Sequence, residues 1–259
     1  MSFAGEVKAE LCRGKLGRKC CAQAEACGVL LYCNRFSLSE VKIVTESPAF
    51  AQRLPGLFRK AFGVEFDEKG DPDTPGKRIF TISAPEKLAL LWELCAFDPS
   101  GPAHHINFGM LEETHCRLAF LRGAFLAGGS VTDPQKGYHL ELATTHLRVS
   151  RELDTLLLEL GYAPKETTRK ANYIAYFKQS ERIEDFLTAI GAPLAAMGIM
   201  EAKLEKELKN KVNRRCNCDD ANTSKVVEAA QEQLAAIRVL REKEMVEALP
   251  GKLQAALKA

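Results

Sequence analysis

A short glycine-containing motif occurs twice in this chain, and it constrains the fold more than any other feature of the sequence. In one copy Cys21 precedes Gly28 by seven positions, and in the other Cys116 precedes Gly123 by the same spacing, 95 residues further on. Both glycines lie in small, apolar segments. This pattern predicts a buried helix whose glycine lets a second helix approach closely. Because one copy cannot bury its apolar face alone, we predict that the two helices pack together about a pseudo-two-fold axis.

The composition is that of an ordinary globular protein. The chain has 259 residues, of which 46% are hydrophobic, which is enough for a sizeable core. It contains no uncharged apolar run of the roughly 18 to 20 residues that a membrane span needs, and its first residues lack the apolar region of a signal peptide. We therefore expect a cytoplasmic protein with no membrane partner.

The nine cysteines do not predict a disulfide framework, because their number is odd and the chain is long. Cys20 and Cys21 are adjacent and Cys216 and Cys218 form a second pair, but neither pair has the spacing and the partner pair of a convincing zinc site. We expect reduced thiols, no bound metal, no cofactor and no small-molecule substrate.

The spacing of apolar residues predicts two half-domains of the same architecture. The first half is predicted to contain the motif helix, a strand at 36–46, a helix at 48–62, strands at 64–67 and 78–83, and a helix at 85–97. The second half is predicted to contain the second motif helix, a strand at 138–145, a helix capped by Ser150 and stopped by Gly161, strands at 164–170 and 173–177, and a helix at 183–190. The predicted domains are therefore 1–97, a linker at 98–106, a second half at 107–190, and a helical tail at 191–259. In the tail, a polar stretch at 213–222 is expected to separate two helices.

The doubled motif resembles the LAGLIDADG helices of homing endonucleases, which form the central seam of a sheet-lined DNA-binding saddle. The resemblance implies an α+β fold, with two pseudo-symmetric LAGLIDADG-like half-domains that form a saddle and a helical tail that follows them. In those enzymes an acidic residue near the end of each motif holds the catalytic divalent metal. Here Cys33 and Gly128 occupy these positions. Neither supplies the carboxylate that magnesium prefers, so the resemblance implies a scaffold without catalytic residues.

Three further segments resemble the WhiA family of bacterial regulators. They are SFAGEVKAEL at 2–11, FLRGAFLAGGSV at 120–131 and, most specifically, NRRCNCDDANTSK at 213–225. The resemblance implies a non-enzymatic, nucleoid-associated regulator of transcription that is linked to cell division, chromosome segregation and sporulation. It implies double-stranded DNA as a partner and allows another transcription regulator as a second one.

Members of that family carry a C-terminal helix-turn-helix domain after the endonuclease-like domain. Only nine residues follow Pro250 in this sequence, so we expect the helix-turn-helix to be lacking. DNA binding should then be weak, insensitive to sequence and strongly dependent on salt.

The candidate DNA-contact residues are basic side chains on the predicted saddle and in the tail. On the saddle they are Arg148, Lys165, Arg169, Lys170 and Lys178, with Lys77 and Arg78 as counterparts in the first half. In the tail they are Lys203, Arg214, Arg215 and Lys225, in a segment where residues 203–215 carry six basic residues against two acidic ones. The family-signature residues are Asn213, Arg214, Asn217 and Asn222. These side chains could contact phosphates, or they could cap two helices at a bend, and a solvated helix face remains an alternative for the cations.

A nuclease with displaced ligands remains the alternative function. Asp133 and Glu40 are the acidic residues that could replace the missing ones, although Asp133-Pro134 is also typical of a turn. His104 and His105 have no carboxylate or cysteine at ligand spacing, so we interpret them as loop residues rather than metal ligands.

Overall fold

The computed structural model describes residues 2–71, 73, 76–97, 101 and 103–258. Two compact units are present, Met1–Lys203 and Leu204–Ala259. Within the described residues, no helix combines the length and the apolar character that crossing a membrane requires.

The helices and strands follow one another in a repeated order. The first unit contains helices α1 (Phe3–Arg13), α2 (Lys19–Tyr32), α3 (Pro48–Phe62), α4 (Pro85–Leu94), α5 (Thr114–Gly128), α6 (Leu147–Glu159) and α7 (Ser180–Ile190). Its strands are β1 (Arg35–Phe36), β2 (Val41–Thr45), β3 (Arg78–Ile82), β4 (Gly129–Val131), β5 (Leu140–Thr144), β6 (Lys165–Arg169) and β7 (Asn172–Phe177). Helix α8 (Pro193–Glu242) begins in the first unit and continues into the second, where α9 (Gly251–Lys258) follows.

Helices α2 and α5 carry the doubled motif and pack directly against each other. A β-carbon added to Gly28 would lie 2.3 Å from the carbonyl oxygen of Phe120, and one added to Gly123 would lie 1.9 Å from the carbonyl oxygen of Glu25. Both distances are far below van der Waals contact. The two backbones therefore touch at the two glycines, and no other residue type fits there without movement of a helix.

Each half of the first unit contributes one antiparallel sheet. The first sheet has the strand order β1-β2-β3, and the second has the order β4-β5-β7-β6. The fold class is the predicted one, a mixed helix-and-sheet scaffold built from two similar halves. The largest fully buried side chains come from both halves and include Phe50, Phe58, Phe120 and Phe125. They belong to one continuous core, so the two halves form one compact unit.

Several predicted elements differ from the structure in ways that local interactions explain. The strand predicted at 36–46 is a hairpin of β1 and β2. The hydroxyl oxygen of Ser37 accepts a hydrogen bond from the backbone N–H of Glu40, and this bond closes the turn between the two strands. The segment predicted as a strand at 64–67 forms none, and Glu68 makes only an isolated bridge to Thr81. Helix α6 begins at Leu147, so the predicted cap Ser150 lies buried inside the helix.

The second unit is helical, but the predicted break at 213–222 is wrong. Helix α8 runs through this polar stretch without interruption. The side chains of Leu208, Val212 and Leu234 are exposed along it. The asparagines of this stretch therefore occupy the interior of a helix, and they do not cap helices at a bend.

Replacement of either seam glycine by alanine should destabilise the protein. Gly28→Ala and Gly123→Ala each place a methyl group against helix backbone, and overpacking of this kind costs about 1 to 3 kcal/mol or more in unfolding free energy. The measurement is urea unfolding followed by circular dichroism. Gly137→Ala is the matched control, because an added β-carbon there meets no atom within 4 Å. Equal stabilities for all three variants would show that the helices do not meet at these glycines.

Candidate nucleic-acid interface

The first of the two positions that correspond to endonuclease acids is Cys33, directly after α2. Its thiol donates to the carbonyl oxygens of Leu30 at 3.2 Å and Arg35 at 3.1 Å. Burial raises the pKa of Cys33 to about 12, although hydrogen bonds from the backbone act in the opposite direction. The side chain is therefore a protonated thiol at neutral pH. It is a poor ligand for a hard cation such as Mg²⁺.

The second position, Gly128, is closed by its surroundings. A β-carbon here would lie 2.5 Å from the carbonyl oxygen of Ala143 and 3.0 Å from the ring of Tyr32. An aspartate at Gly128 would therefore require backbone to move before its carboxylate could reach any metal. This position therefore lacks an acidic residue, and its surroundings leave no room for one.

The two acids considered as replacements are each held in their own turn. Asp133 Oδ1 accepts a hydrogen bond from the backbone N–H of Gln135 at 2.9 Å, as expected for the predicted Asp-Pro turn. Glu40 forms an ion pair with Arg35 at 3.0 Å. Neither belongs to a cluster of three or more metal-ligating side chains within the described residues.

The predicted saddle cations of the second half lie on or beside an exposed sheet face. The residues of β6, including Lys165 and Arg169, are exposed. The register places Lys165 opposite Tyr176, which in turn lies opposite Glu141. Glu141 forms an ion pair with Arg169 at 2.7 Å, so it offsets part of the positive charge on this face.

Three further predicted cations of the second half border this face or lie off it. Lys170 lies in the turn between β6 and β7 with a positive φ of 55°. The ammonium group of Lys178 lies 5.5 Å from the centre of the Tyr176 ring, within cation–π range. Arg148 lies on α6 and pairs with Glu152 at 2.8 Å, so it is not a sheet residue.

In the first half the structure corrects the sequence-based choice of cations. Lys77 is exposed, but Arg78 is buried, and its guanidinium donates to the carbonyl oxygens of Glu46 and Gly76, both at 3.0 Å. Arg78 is therefore a structural residue, and its prediction as a DNA contact is wrong. Arg35 and Lys42 are the cations that face each other across β1 and β2. The sequence indicates Lys42 as a residue on the less buried face of a strand, because it alternates with the apolar Val41 and Ile43, which are buried.

The tail candidates lie along α8. Asn213, Arg214, Arg215, Asn217, Asn222 and Lys225 are all exposed. Lys203, in the first unit, forms an ion pair with Glu181. The asparagines and the two arginines are thus presented to solvent on one continuous helix, free of the capping role considered for them.

His104, from the predicted linker at 98–106, has a packing role. Residues 98–100 and 102 of this linker lie outside the described residues. The ring of His104 stacks on Phe36 at 4.8 Å between centroids and meets the edge of His146 at 4.5 Å. Burial, with the charge of His104 acting in the same direction, lowers the pKa of His146 to about 4. Because Phe36 and His146 come from different halves, His104 helps to join them.

Asp154 is a buried acid that the sequence analysis did not identify. It lies on α6, and neither of its carboxylate oxygens accepts a hydrogen bond within the described part of the chain. Burial raises the pKa of Asp154 to about 7, and the carboxylate of Glu166 adds to this increase. Burial, together with the charge of Asp154, also raises the pKa of Tyr32 at the end of α2. A buried carboxyl group beside a second carboxyl group is neutral through much of the acidic range.

Comparisons with known proteins identify the family. The WhiA LAGLIDADG-like domain matches residues 117–209, and the WhiA C-terminal HTH domain matches residues 212–259. The probable cell division protein WhiA of Ruminiclostridium cellulolyticum is 36% identical over 98% of this chain and 84% of its own length. That of Macrococcus caseolyticus is 32% identical over 98% and 83%. The chain belongs to the WhiA family.

Solved WhiA structures share the fold. Full-length DUF199/WhiA from Thermatoga maritima superposes with a TM-score of 0.69 at 23% identity, over 98% of this chain and 84% of that one. The N-terminal LAGLIDADG domain of DUF199/WhiA gives a TM-score of 0.58 at 21% identity, over 73% and 90%. The match at 212–259 corrects the expectation that the helix-turn-helix is lacking, since the tail itself corresponds to that domain of the WhiA family.

The buried Asp154 should make the WhiA scaffold less stable as the pH rises. Its pKa is higher in the folded chain than the usual value of about 3.9, so its contribution to unfolding free energy is lost between about pH 4 and pH 7. The slope is at most about 1.4 kcal/mol per pH unit. Asp154→Asn should remove this slope and stabilise the protein at pH 8. Urea unfolding from pH 4.5 to 8 measures the effect, and exposed Asp185→Asn is the control that should leave the slope unchanged.

Proposed function

We propose that this WhiA-family protein is a DNA-binding regulator of transcription that is linked to cell division and that does not cut DNA. The observation that carries the proposal is the match of residues 212–259 to the C-terminal helix-turn-helix domain of WhiA. Helix-turn-helix domains place one helix in the major groove, where base edges can be distinguished. Sequence recognition is therefore assigned to the tail rather than to the saddle.

The charges on the two units support this division of roles. On the sheet faces, Arg169 is paired with Glu141 and Arg35 with Glu40. These acids reduce the attraction between the faces and a phosphate backbone. In the tail, by contrast, Arg214 and Arg215 are adjacent, exposed and close to the start of the matched segment. Contacts to phosphates supply much of the affinity of proteins for DNA, so these two cations are the first candidates for that role.

The absence of nuclease activity is supported by the two former metal positions. Cys33 is a half-buried thiol that donates to carbonyl oxygens, and Gly128 has no space for a side chain. The alternative is an endonuclease that uses displaced acids, and Asp133 and Glu40 are the residues it would need.

The finer parts of the proposal rest on the family resemblance of the tail signature. They are roles in chromosome segregation and sporulation, association with the nucleoid in the cytoplasm, and a second transcription regulator as a partner. The curated relatives are named as probable cell division proteins, which supports the link to division.

Loss of the adjacent tail arginines should weaken DNA binding. Arg214→Ala/Arg215→Ala removes two phosphate contacts in this proposal, so the slope of log K against log salt should decrease by about 1.8. Fluorescence anisotropy with a labelled duplex across a salt series measures both affinity and slope. Arg13→Ala/Lys15→Ala is the control, because it removes the same charge from exposed positions in the first unit. An equal effect of the two double variants would contradict a specific role for the tail.

The protein should not nick supercoiled plasmid in the presence of magnesium or manganese. The reason is that neither former metal position holds a carboxylate, and Cys33→Asp with Gly128→Asp should not restore cleavage because the second change does not fit. Agarose gel electrophoresis of the plasmid after incubation is the measurement. Metal-dependent nicking that disappears in Asp133→Ala or Glu40→Ala would establish the alternative function instead.

A further inference from the structure

A compact group of thiols and an imidazole lies at the N-terminal ends of the two seam helices. We call it the thiol–imidazole cluster, and its members are Cys20, Cys21, His115 and Cys116. The four ligand atoms all lie within 4.8 Å of one another. It is the one group of at least three His, Cys, Asp or Glu side chains among the described residues that is close enough to share a metal ion.

The distances inside the cluster are close to those of a tetrahedral site. Nδ1 of His115 lies 3.3 Å from Sγ of Cys21 and 3.2 Å from Sγ of Cys116. Zinc–sulfur bonds of about 2.3 Å and zinc–nitrogen bonds of about 2.0 Å place neighbouring ligand atoms about 3.5 to 3.8 Å apart around a tetrahedral ion. The ligand atoms therefore need only small side-chain adjustments to surround one ion.

The cluster follows the same internal symmetry as the seam. Residues 20 and 21 correspond to 115 and 116 at the offset of 95 that relates Gly28 to Gly123. Each pair occupies the first turn of its helix, α2 or α5. The N-terminal end of a helix favours the thiolate, which is the form that binds a metal. Burial, together with the neighbouring thiols of Cys20 and Cys21, acts in the opposite direction and raises the pKa of Cys116 to about 12. Two helix ends therefore face the same group of thiols.

The cluster is separate from the former endonuclease positions. Cys20 is the second residue of α2 and Cys33 follows its last residue, so a rise of 1.5 Å per residue places them about 20 Å apart along the helix. Cys20 and His115 are exposed, and Cys116 is buried, so the group is open to an entering ion and anchored in the core. This placement suits a structural ion rather than a catalytic one, because four protein ligands leave no open position.

We propose that the thiol–imidazole cluster binds one Zn²⁺ ion, as a Cys₃His site that joins the two half-domains at the start of the seam. A set of three sulfurs and one imidazole nitrogen in tetrahedral reach selects zinc among the common divalent ions. Binding releases the thiol protons and bridges residues that are 95 positions apart in the chain. The ion therefore stabilises the contact between α2 and α5, independently of DNA binding.

The test is the metal content and stability of the whole chain, purified without a tag. When the protein is purified from zinc-supplemented medium, elemental mass spectrometry should find one zinc ion per chain. Removal of the zinc with a chelator should lower the Tm of the protein. Cobalt added to the metal-free protein should give the strong visible absorption of a tetrahedral cobalt–thiolate site. Less than a stoichiometric amount of zinc, with no binding of added zinc or cobalt by the reduced protein, would overturn the proposal.

Variants assign the site to the cluster. Cys20→Ser and His115→Ala change exposed side chains, and each should lower zinc affinity by at least about tenfold while circular dichroism remains unchanged. His115→Cys should retain the ion, because it supplies a fourth thiolate. Cys216→Ser/Cys218→Ser removes two exposed cysteines of the tail and should leave the zinc content unchanged. Zinc that is kept by Cys20→Ser and His115→Ala but lost from the tail variant would place the site elsewhere and contradict the proposal.

Discussion

The backbone contact between α2 and α5 is the constraint on which the rest of this structure depends. At Gly28 and Gly123 the helices approach until carbonyl oxygens occupy the space of a missing side chain. Glu25, whose carbonyl oxygen lies at this contact, also has a buried carboxylate that binds Nε of Arg53 at 2.6 Å and Nη1 of Arg122 at 3.4 Å. Arg53 comes from α3 and Arg122 from α5, so one carboxylate ties three helices together. Removal of the Glu25 carboxylate would leave the buried Arg53 without its ion-pair partner, and breaking a buried pair in this way typically costs about 3 to 5 kcal/mol. The seam is therefore fixed both by shape and by charge.

The same close packing determines what the C-terminal ends of the seam helices can do. Tyr32 and the backbone of Ala143 fill the space beside Gly128, so the second half has exchanged an acid position for tight packing. In the first half, Cys33 turns its thiol to backbone carbonyl oxygens. A metal-dependent nuclease needs carboxylates that project from these ends into open space. Neither of these two positions therefore offers a carboxylate to a divalent metal.

Sequence periodicity was sufficient for the elements whose signals are local. The α3 helix spans Pro48–Phe62, the predicted range, and Gly63 with a φ of 72° caps its C-terminal end. Sequence periodicity was not sufficient where tertiary contacts or neighbouring segments determine the local structure. The polar residues 213–222 looked like a break but continue a helix. Spacing along one segment does not reveal the thiol–imidazole cluster, because its ligands come from two segments that only the seam brings together. The number of residues after Pro250 does not decide whether a helix-turn-helix is present, because the matching region begins at residue 212.

The arrangement of charge bears on the proposal that recognition lies in the tail rather than on the sheet faces. Each sheet has at least one exposed cation that an acid accompanies, Arg35 beside Glu40 and Arg169 beside Glu141, and such pairs weaken long-range attraction to phosphates more than they stabilise the fold. Nonspecific affinity grows with the number of uncompensated cations that reach the backbone, because each releases condensed counterions. A face on which acids accompany cations will therefore contribute little affinity. In the proposed division of roles, Arg214 and Arg215 supply phosphate contacts, and the segment at 212–259 that matches the helix-turn-helix domain reads the bases.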